Sequence, residues 1–162
     1  MDKTGNLKPA AMRAMFMMKM TNATLSVMLR SPFHGRVSAT LLLLTFRGRK
    51  SGKKYSFPVG YIQEGKDTLI VLTPKMRAWW KNFRDGGPVS VYVQGKKRAG
   101  VAKVVLDDTE AVTMGIRAFL HHNPKAAPMY RIELNAAGEP TLETLQRAAA
   151  HWVVVRIRLE VE

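Results

Sequence analysis

Residues 41–61, LLLLTFRGRKSGKKYSFPVGY, combine two strand patterns with a glycine-containing basic turn between them. The four leucines of residues 41–44 form a continuous apolar run of the kind found in buried strands. After the turn, large apolar residues recur at every second position: Tyr55, Phe57, Val59 and Tyr61. A period of two is typical of a strand with one face in a core. This stretch therefore predicts two consecutive antiparallel strands, over residues 38–46 and 53–63.

The turn itself, Arg47 to Lys54, concentrates positive charge. Its eight residues include five Lys or Arg, two glycines and one hydroxyl group, that of Ser51. Glycines allow close backbone approach, so neighbouring N–H groups can converge on an anion that the cations and the hydroxyl also bind. A solvated basic hairpin that protects a sheet edge is the alternative. Residues 3–63 contain eleven Lys or Arg and no Asp or Glu, which favours a site for a phosphate or a polycarboxylate.

Length and composition bound the remaining possibilities. At 162 residues we expect one domain, 1–162, with a proper core. The net charge of +14 implies an anionic ligand, a nucleic acid or an anionic membrane surface. The absence of cysteine excludes disulfides, thiol chemistry and cysteine-ligated metal centres, and it accords with a cytoplasmic location.

The N-terminal segment is rich in methionine. Residues 7–29 predict a helix that ends before the Ser31-Pro32 pair, because the residue before proline resists the α conformation. Charged residues interrupt it too often for a membrane span. Three roles remain open: residues 1–32 cap the core, residues 7–30 contact the inner face of the membrane peripherally, or the helix covers an apolar substrate pocket.

The rest of the chain is mainly β. Further strands are predicted over 68–73, 89–94, 98–106 and 151–161, and helices over 77–84, 108–121 and 141–150, the second capped by Asp107 or Asp108. Consecutive antiparallel strands with helices at the periphery predict an α+β fold built on a small barrel or coiled sheet.

Two motifs in this region carry a family resemblance. GRKSG at 48–52 precedes PVGY at 58–61, and farther on TPK at 73–75, WWKNF at 79–83 and PVSV at 88–91 follow in order. In motif order and spacing the chain resembles the deazaflavin-dependent nitroreductase and quinone reductase family. The resemblance implies a split β-barrel of the flavin-reductase/pyridoxamine-phosphate-oxidase type and coenzyme F420 as cofactor, with FMN as the alternative.

The resemblance also implies how residues divide the cofactor. The basic turn would hold the phosphate and glutamate tail, and the other positions would approach the phosphate or the deazaflavin ring. The implied cofactor-binding residues are Arg47, Gly48, Arg49, Lys50, Ser51, Gly52, Lys54, Pro58, Tyr61, Thr73, Lys75, Trp79 and Asn82. Adjacent helical positions cannot both face one site, and the match to the family motif implies that Trp79 lies at the ring and Trp80 in the core.

The implied reaction is hydride transfer from the reduced deazaflavin to a small, apolar or aromatic acceptor: a quinone, a nitro compound or an activated enone. The chain departs from the family pattern in its shorter loop before Trp79, in Pro74 at a position where the family tends to have serine, and in having Tyr130 alone where a relative has several tyrosines. Tyr130 is the candidate catalytic residue, for orienting the acceptor or donating a proton.

Other classes of protein remain as alternatives. One is a non-catalytic carrier of a cofactor or lipid-like ligand, and another is an FMN or haem protein on the same barrel. A nucleic-acid-binding barrel is disfavoured, because the cations cluster in one turn instead of alternating with aromatics along strands. No metal site is predicted, since the adjacent His121 and His122 do not share a helix face. Monomer and homodimer both remain open.

Overall fold

The computed structural model describes residues 40–105 and 108–161, apart from the side chains of Met129 and Tyr130. The strands in these ranges are β1 (Leu41–Arg47), β2 (Lys54–Gly60), β3 (Ile62–Glu64), β4 (Thr68–Pro74), β5 (Gly87–Val93), β6 (Lys96–Val105) and β7 (Trp152–Leu159). The helices are α1 (Thr109–His122), α2 (Leu142–Ala149) and two 3₁₀ helices, Trp79–Phe83 and Pro124–Tyr130. The predicted helix over 7–29 lies outside the described residues.

The strands form one antiparallel sheet in the order β2-β1-β5-β6-β7-β4-β3. Its two edge strands, β2 and β3, are consecutive in the chain, so the sheet curls until its edges approach each other. The N–H of Tyr61, between them, donates to the carbonyl of Thr40 beside β1 at 3.1 Å. The sheet is therefore a split barrel, and the predicted fold class is confirmed.

The single strand predicted over 53–63 is wrong at this point. β2 pairs with β1 as far as Gly60 opposite Leu41, where β1 begins. After Gly60 the Tyr61 N–H still bonds to the Thr40 carbonyl, and from Ile62 onward β3 pairs with β4 instead. The period-two pattern continues through the break because residues on both sides of it face buried surfaces, so the sequence does not mark it.

Two apolar layers enclose the sheet. The barrel interior holds inward-facing residues of the central strands and two aromatic residues of the first 3₁₀ helix, including Leu42, Leu44, Val71, Trp80, Phe83, Val91, Val153 and Val155. A second cluster lies on the outer face of β3, β4 and β7 under the helices, including Ile62, Ile70, Leu72, Ile116, Phe119, Leu145 and Val154. The first layer shapes the barrel, and the second fixes the helices on one side of it.

Local sequence signals explain several element ends. The β5–β6 hairpin turns on Gln94 and Gly95, whose φ angles of 48° and 78° are those of a type I′ turn, one residue earlier than predicted. Asp108 caps α1, since its carboxylate accepts the N–H of Ala111 at 2.9 Å, as predicted. Thr141 caps α2 in the same way.

Two helical segments differ from prediction. Residues 77–84 contain a 3₁₀ helix of five residues, Trp79–Phe83, and not a longer α-helix. The 3₁₀ helix Pro124–Tyr130 was not predicted, and its internal Pro128 is incompatible with a regular α-helix. No helix in the described part of the chain is long and apolar enough to cross a membrane.

Candidate functional site

The basic turn between β1 and β2 is held by its own backbone. The Gly48 N–H donates to the Lys53 carbonyl at 2.9 Å, and the Gly52 N–H to the Gly48 carbonyl at 2.8 Å. Gly52 has a φ of 63°, which only glycine adopts readily. Within the described residues, the N–H groups of Lys50 and Ser51 make no hydrogen bond. Two consecutive N–H donors beside exposed lysines therefore remain at the tip of the turn for an anion.

Gly48 is where this turn is most crowded. A Cβ at this position would lie 2.6 Å from the Ser51 Oγ and 2.9 Å from the Tyr55 Cε2. The Ser51 hydroxyl is hydrogen-bonded to the Tyr55 hydroxyl at 3.3 Å and accepts the Lys53 N–H at 3.3 Å. Because Gly48 has no side chain, the hydroxyls of Ser51 and Tyr55 have room to hydrogen-bond beside it.

The first 3₁₀ helix is tied to the turn. The Asn82 Oδ1 accepts the backbone N–H of Arg49 at 2.9 Å, and its Nδ2 donates to the Trp79 carbonyl at 2.7 Å. The Arg49 guanidinium also pairs with the Asp85 carboxylate at 2.7 Å. The two motifs recognised in the sequence therefore form one structural unit.

A cluster of aromatic rings extends from the turn into the barrel. The Phe46 ring lies 5.5 Å from the Tyr55 ring, 5.9 Å from Phe57 and 6.4 Å from Trp79 between centroids. Phe57 and Trp79 make an edge contact at 5.5 Å. Stacked and edge-to-face ring contacts of this kind are stabilising, so the four rings form one aromatic wall.

A cavity of about 360 Å³ opens at the far end of the aromatic wall. Its lining includes the predicted residues Pro58, Thr73 and Trp79, together with Phe57 and Arg77. Thr73 is a buried polar residue, and Arg77 is exposed. The cavity thus has an aromatic side, a hydroxyl and one cation, a suitable lining for a flat ring with polar edges.

Trp80 lies in the core as predicted, and the assignment of Trp79 to the cofactor ring stays a prediction. Trp80 is buried in the barrel core, where its Nε1 donates to the Lys75 carbonyl at 3.1 Å. The Arg84 guanidinium lies 5.4 Å from the centre of its ring. Trp79 is only half-buried and faces the cavity.

Three predicted residues lie apart from this cavity or cannot be placed at it. Tyr61 points into the barrel core, and its hydroxyl accepts the Gln94 Nε2 at 3.3 Å. Burial raises the pKa of Tyr61, an effect that the hydrogen bond from Gln94 partly offsets. Lys75 lines a second cavity on the other side of Pro74. Tyr130 ends a 3₁₀ helix, and its side chain is not among the described groups.

Neither Arg77 nor Asp85 was predicted from the motifs. The charge pattern up to residue 63 indicated a turn without acidic partners, but Asp85 lies 36 residues beyond Arg49 and supplies one. The sequence feature that could have indicated this ion pair is the position of Asp85, between the tryptophan motif and the Gly86-Gly87 pair. Among the residues that the structure describes, no group of three or more His, Asp or Glu side chains is placed to hold a metal ion.

Comparison with solved structures supports the fold. The chain is similar to a Clostridium acetobutylicum protein related to general stress protein 26, of the pyridoxinephosphate oxidase family, at 10% identity, covering 82% of this chain and 84% of that chain with a TM-score of 0.52. It is also similar to HutZ, a heme storage protein from Vibrio cholerae, at 14% identity, 80% and 87% coverage and a TM-score of 0.52.

A third structure, of a protein of unknown function from Agrobacterium tumefaciens, is 16% identical with a TM-score of 0.52. The match covers 81% of this chain and spans 56% of that protein's length. No curated protein matches the chain.

The family model for the F420H(2)-dependent quinone reductases matches residues 17–130, a range that contains the basic turn, the aromatic wall and the first cavity. Because this match covers most of the sequence, the chain belongs to the F420H(2)-dependent quinone reductase family and is an oxidoreductase whose cofactor is coenzyme F420.

Proposed function

We propose that this protein transfers a hydride from reduced F420 to a quinone, and that nitro compounds and activated enones of similar shape are further acceptors. One observation carries the proposal: a cationic turn is joined, through Asn82 and an aromatic wall, to a cavity. An anionic tail and a flat ring need these two environments at the two ends of one site. When bound, reduced F420 supplies the hydride, and the protein supplies binding, orientation and electrostatics.

In this proposal the turn binds the cofactor's phosphate and carboxylates. The N–H groups of Lys50 and Ser51, which bond to no group among the described residues, would donate to a phosphate oxygen, and the ammonium groups of Lys50 and Lys54 would neutralise charge. Asp85 holds the Arg49 guanidinium toward the 3₁₀ helix, so Arg49 serves the site partly by fixing the turn. The donor set accords with a ligand that carries several negative charges.

The cavity would hold the ring. Trp79 and Phe57 would pack against its apolar face, and the Thr73 hydroxyl would bond to a polar edge. Arg77 would stabilise negative charge that develops on a ring or acceptor oxygen. A flat apolar acceptor stacked on the ring would complete the exclusion of water, which is why quinones are the preferred class.

The first test is a fluorescence titration of the protein with oxidised F420, with FMN in parallel. We expect F420 to bind and the combined Arg49→Ala and Lys50→Ala variant to weaken its affinity by at least about tenfold, as for loss of charge-assisted hydrogen bonds. Lys97→Ala removes a charge from exposed β6 and is the control. An unchanged dissociation constant in the double variant would overturn the role of the turn.

The acceptor is tested separately, by following oxidation of reduced F420 with 2-methyl-1,4-naphthoquinone, a nitroaromatic compound and a cyclic enone. We expect the highest kcat/KM with the quinone. If the protein binds F420 and the quinone is not reduced, the quinone proposal fails while the cofactor assignment stands.

Tyr130 remains the proposed residue for orienting the acceptor or donating a proton. Tyr130→Phe should lower kcat while the dissociation constant of F420 stays the same. An unaltered kcat would remove Tyr130 from the mechanism.

Peripheral membrane contact through residues 7–30 also stays a proposal, carried by the methionine-rich basic sequence. Co-sedimentation of the protein with anionic vesicles, lost in an Arg13→Glu and Lys19→Glu variant, would support it. Equal sedimentation of both proteins would count against it.

A further inference from the structure

A second cavity of about 440 Å³ lies between the end of β4 and α2. It shares only Pro74 with the first cavity, so the two open on opposite sides of that residue. Its volume is within the range of small-molecule sites, roughly 300–1,000 Å³. Neither the basic turn nor the aromatic wall contributes to its lining.

Positive charge dominates one part of the lining. Lys75, Arg131 and Arg147 supply the charge, and the imidazole of His151 also lines the cavity. Arg147 has a carboxylate partner, because its Nη2 lies 2.6 Å from the Glu143 Oε1. Lys75 and Arg131 make no ion pair within the ranges 40–105 and 108–161. Two cations of this cavity are therefore left without an acidic partner among the described residues.

The other part of the lining is apolar. Met76, Ala148 and Trp152 line the cavity beside the cations. Met76 is 90% exposed, the highest value among the large hydrophobic residues that the structure describes. Covering such a side chain with an apolar ligand removes its surface from water, which favours binding. The cavity thus offers apolar surface and unpaired positive charge together.

The backbone around the cavity is fixed before any ligand binds. The Lys75 N–H donates to the His151 carbonyl at 2.9 Å, and the Lys75 carbonyl accepts the Trp80 Nε1. Arg131 has a φ of 54°, an uncommon left-handed conformation for a residue other than glycine. Its N–H donates to the Pro128 carbonyl at 3.1 Å, and the N–H of Ile132 to the Ala127 carbonyl at 3.0 Å. These two hydrogen bonds, from the N–H groups of Arg131 and of the next residue, stabilise the left-handed conformation of Arg131 at the cavity.

We propose that this second cavity binds a small apolar carboxylate at a site distinct from that of F420. The carboxylate would lie between Lys75 and Arg131, and the apolar body would cover Met76 and contact Trp152. Arginine suits this role because its planar guanidinium can bind both carboxylate oxygens. The proposal does not depend on which acceptor receives the hydride.

The test is calorimetric titration of the full chain with 2-naphthoate and with 2-naphthamide, which has the same ring system and no charge. We expect 2-naphthoate to bind at least about tenfold more tightly, since only the anion makes charge-assisted hydrogen bonds. Decanoate is the third ligand: tighter binding of decanoate indicates an aliphatic ligand, and tighter binding of naphthoate an aromatic one. Either result supports the proposal.

Variants locate the site. Arg131→Gln and Lys75→Gln should each weaken naphthoate binding severalfold and leave naphthamide binding unchanged. Lys75 is exposed, so its variant keeps the test valid even if Arg131→Gln alters the fold. Arg117→Gln on the exposed side of α1 controls for net charge, and Lys50→Gln controls for binding at the basic turn. Saturating F420 should not displace naphthoate.

Four outcomes would overturn the proposal: equal affinities for naphthoate and naphthamide, no binding at millimolar concentration, displacement by F420, or a loss in Lys50→Gln as large as in Arg131→Gln. Each can be distinguished from failure of the proposed function, because none requires hydride transfer.

Discussion

At the scale of single residues, Gly48 decides the shape of the basic turn. In Gly48→Ala the new Cβ would lie 2.6 Å from the Ser51 Oγ, so the serine, the Tyr55 ring or the backbone must move. We expect F420 affinity to fall about tenfold, equivalent to about 1.4 kcal/mol, in a fluorescence titration. Gly138→Ala, which introduces strain at a φ of 77° far along the chain, is the control and should lower stability without altering affinity. Equal affinities in wild type and Gly48→Ala would contradict this account of the turn.

Tyr61 gives a prediction about pH at the same scale. Burial holds its folded-state pKa above the unfolded value of about 10. The unfolded chain therefore loses this proton first as pH rises, and the stability contributed by the neutral phenol, fully present below pH 10, is lost above it. Urea unfolding at pH 9 and pH 11 should show a larger loss of stability in wild type than in Tyr61→Phe. Parallel losses in the two proteins would show that Tyr61 ionisation is not linked to unfolding.

The motifs predict residue roles unevenly. They separate Trp79 from Trp80 and bring Asn82 to the basic turn, because these positions belong to short local patterns. They do not reveal that Asp85 pairs with Arg49, since that contact depends on how the 3₁₀ helix lies against the turn. The inward direction of Tyr61 agrees with the period-two pattern that it shares with Phe57 and Val59, and it was the family motif that assigned this residue to the cofactor.

At the scale of elements, the packing of α1 on β7 depends on Gly115. A Cβ at Gly115 would lie 2.9 Å from the Val154 Cγ2, so helix and strand approach more closely than alanine allows. Gly115→Ala should lower the free energy of unfolding by about 1–3 kcal/mol, as for overpacking of a core, despite the better helix propensity of alanine. Urea denaturation measures the loss. Adding Val154→Ala removes the clashing atoms and should make the loss smaller than the sum of the two single variants; simple additivity would argue against the contact.

The element pattern of the described residues could be predicted well wherever local chemistry marks it. Turn residues located the β5–β6 hairpin, and Asp108 and Thr141 marked the starts of α1 and α2. The break at Tyr61 was missed because it depends on where β1 begins, opposite Gly60, and this pairing between strands is not visible in the local sequence. The 3₁₀ helix Pro124–Tyr130 was missed because its proline-containing sequence resembles a loop.

At the scale of the whole molecule, the positive charge is distributed in a way that suits a small anionic ligand bound at one place more than an extended polyanion such as a nucleic acid. The net charge of +14 alone would accord with nucleic-acid binding. The turn between β1 and β2, however, lies at the opposite end of its strands from the β5–β6 hairpin, where Lys96 and Lys97 are exposed. Neither Lys96 nor Lys97 lines the first cavity. Electrostatic attraction of F420 should therefore depend on a few cations and not on the total charge.

This separation can be measured through salt dependence. At an ionic strength of 0.15 M the screening length is about 8 Å, so only cations near the ligand contribute strongly to its affinity. The dissociation constant of F420 should rise with salt in wild type, and the rise should be clearly smaller in the Lys50→Gln and Lys54→Gln double variant. The matched Lys96→Gln and Lys97→Gln double variant removes the same charge at the distant hairpin and should retain the wild-type salt dependence. If both double variants flatten the dependence equally, F420 responds to the overall field of the protein, and the turn has no special share in binding it.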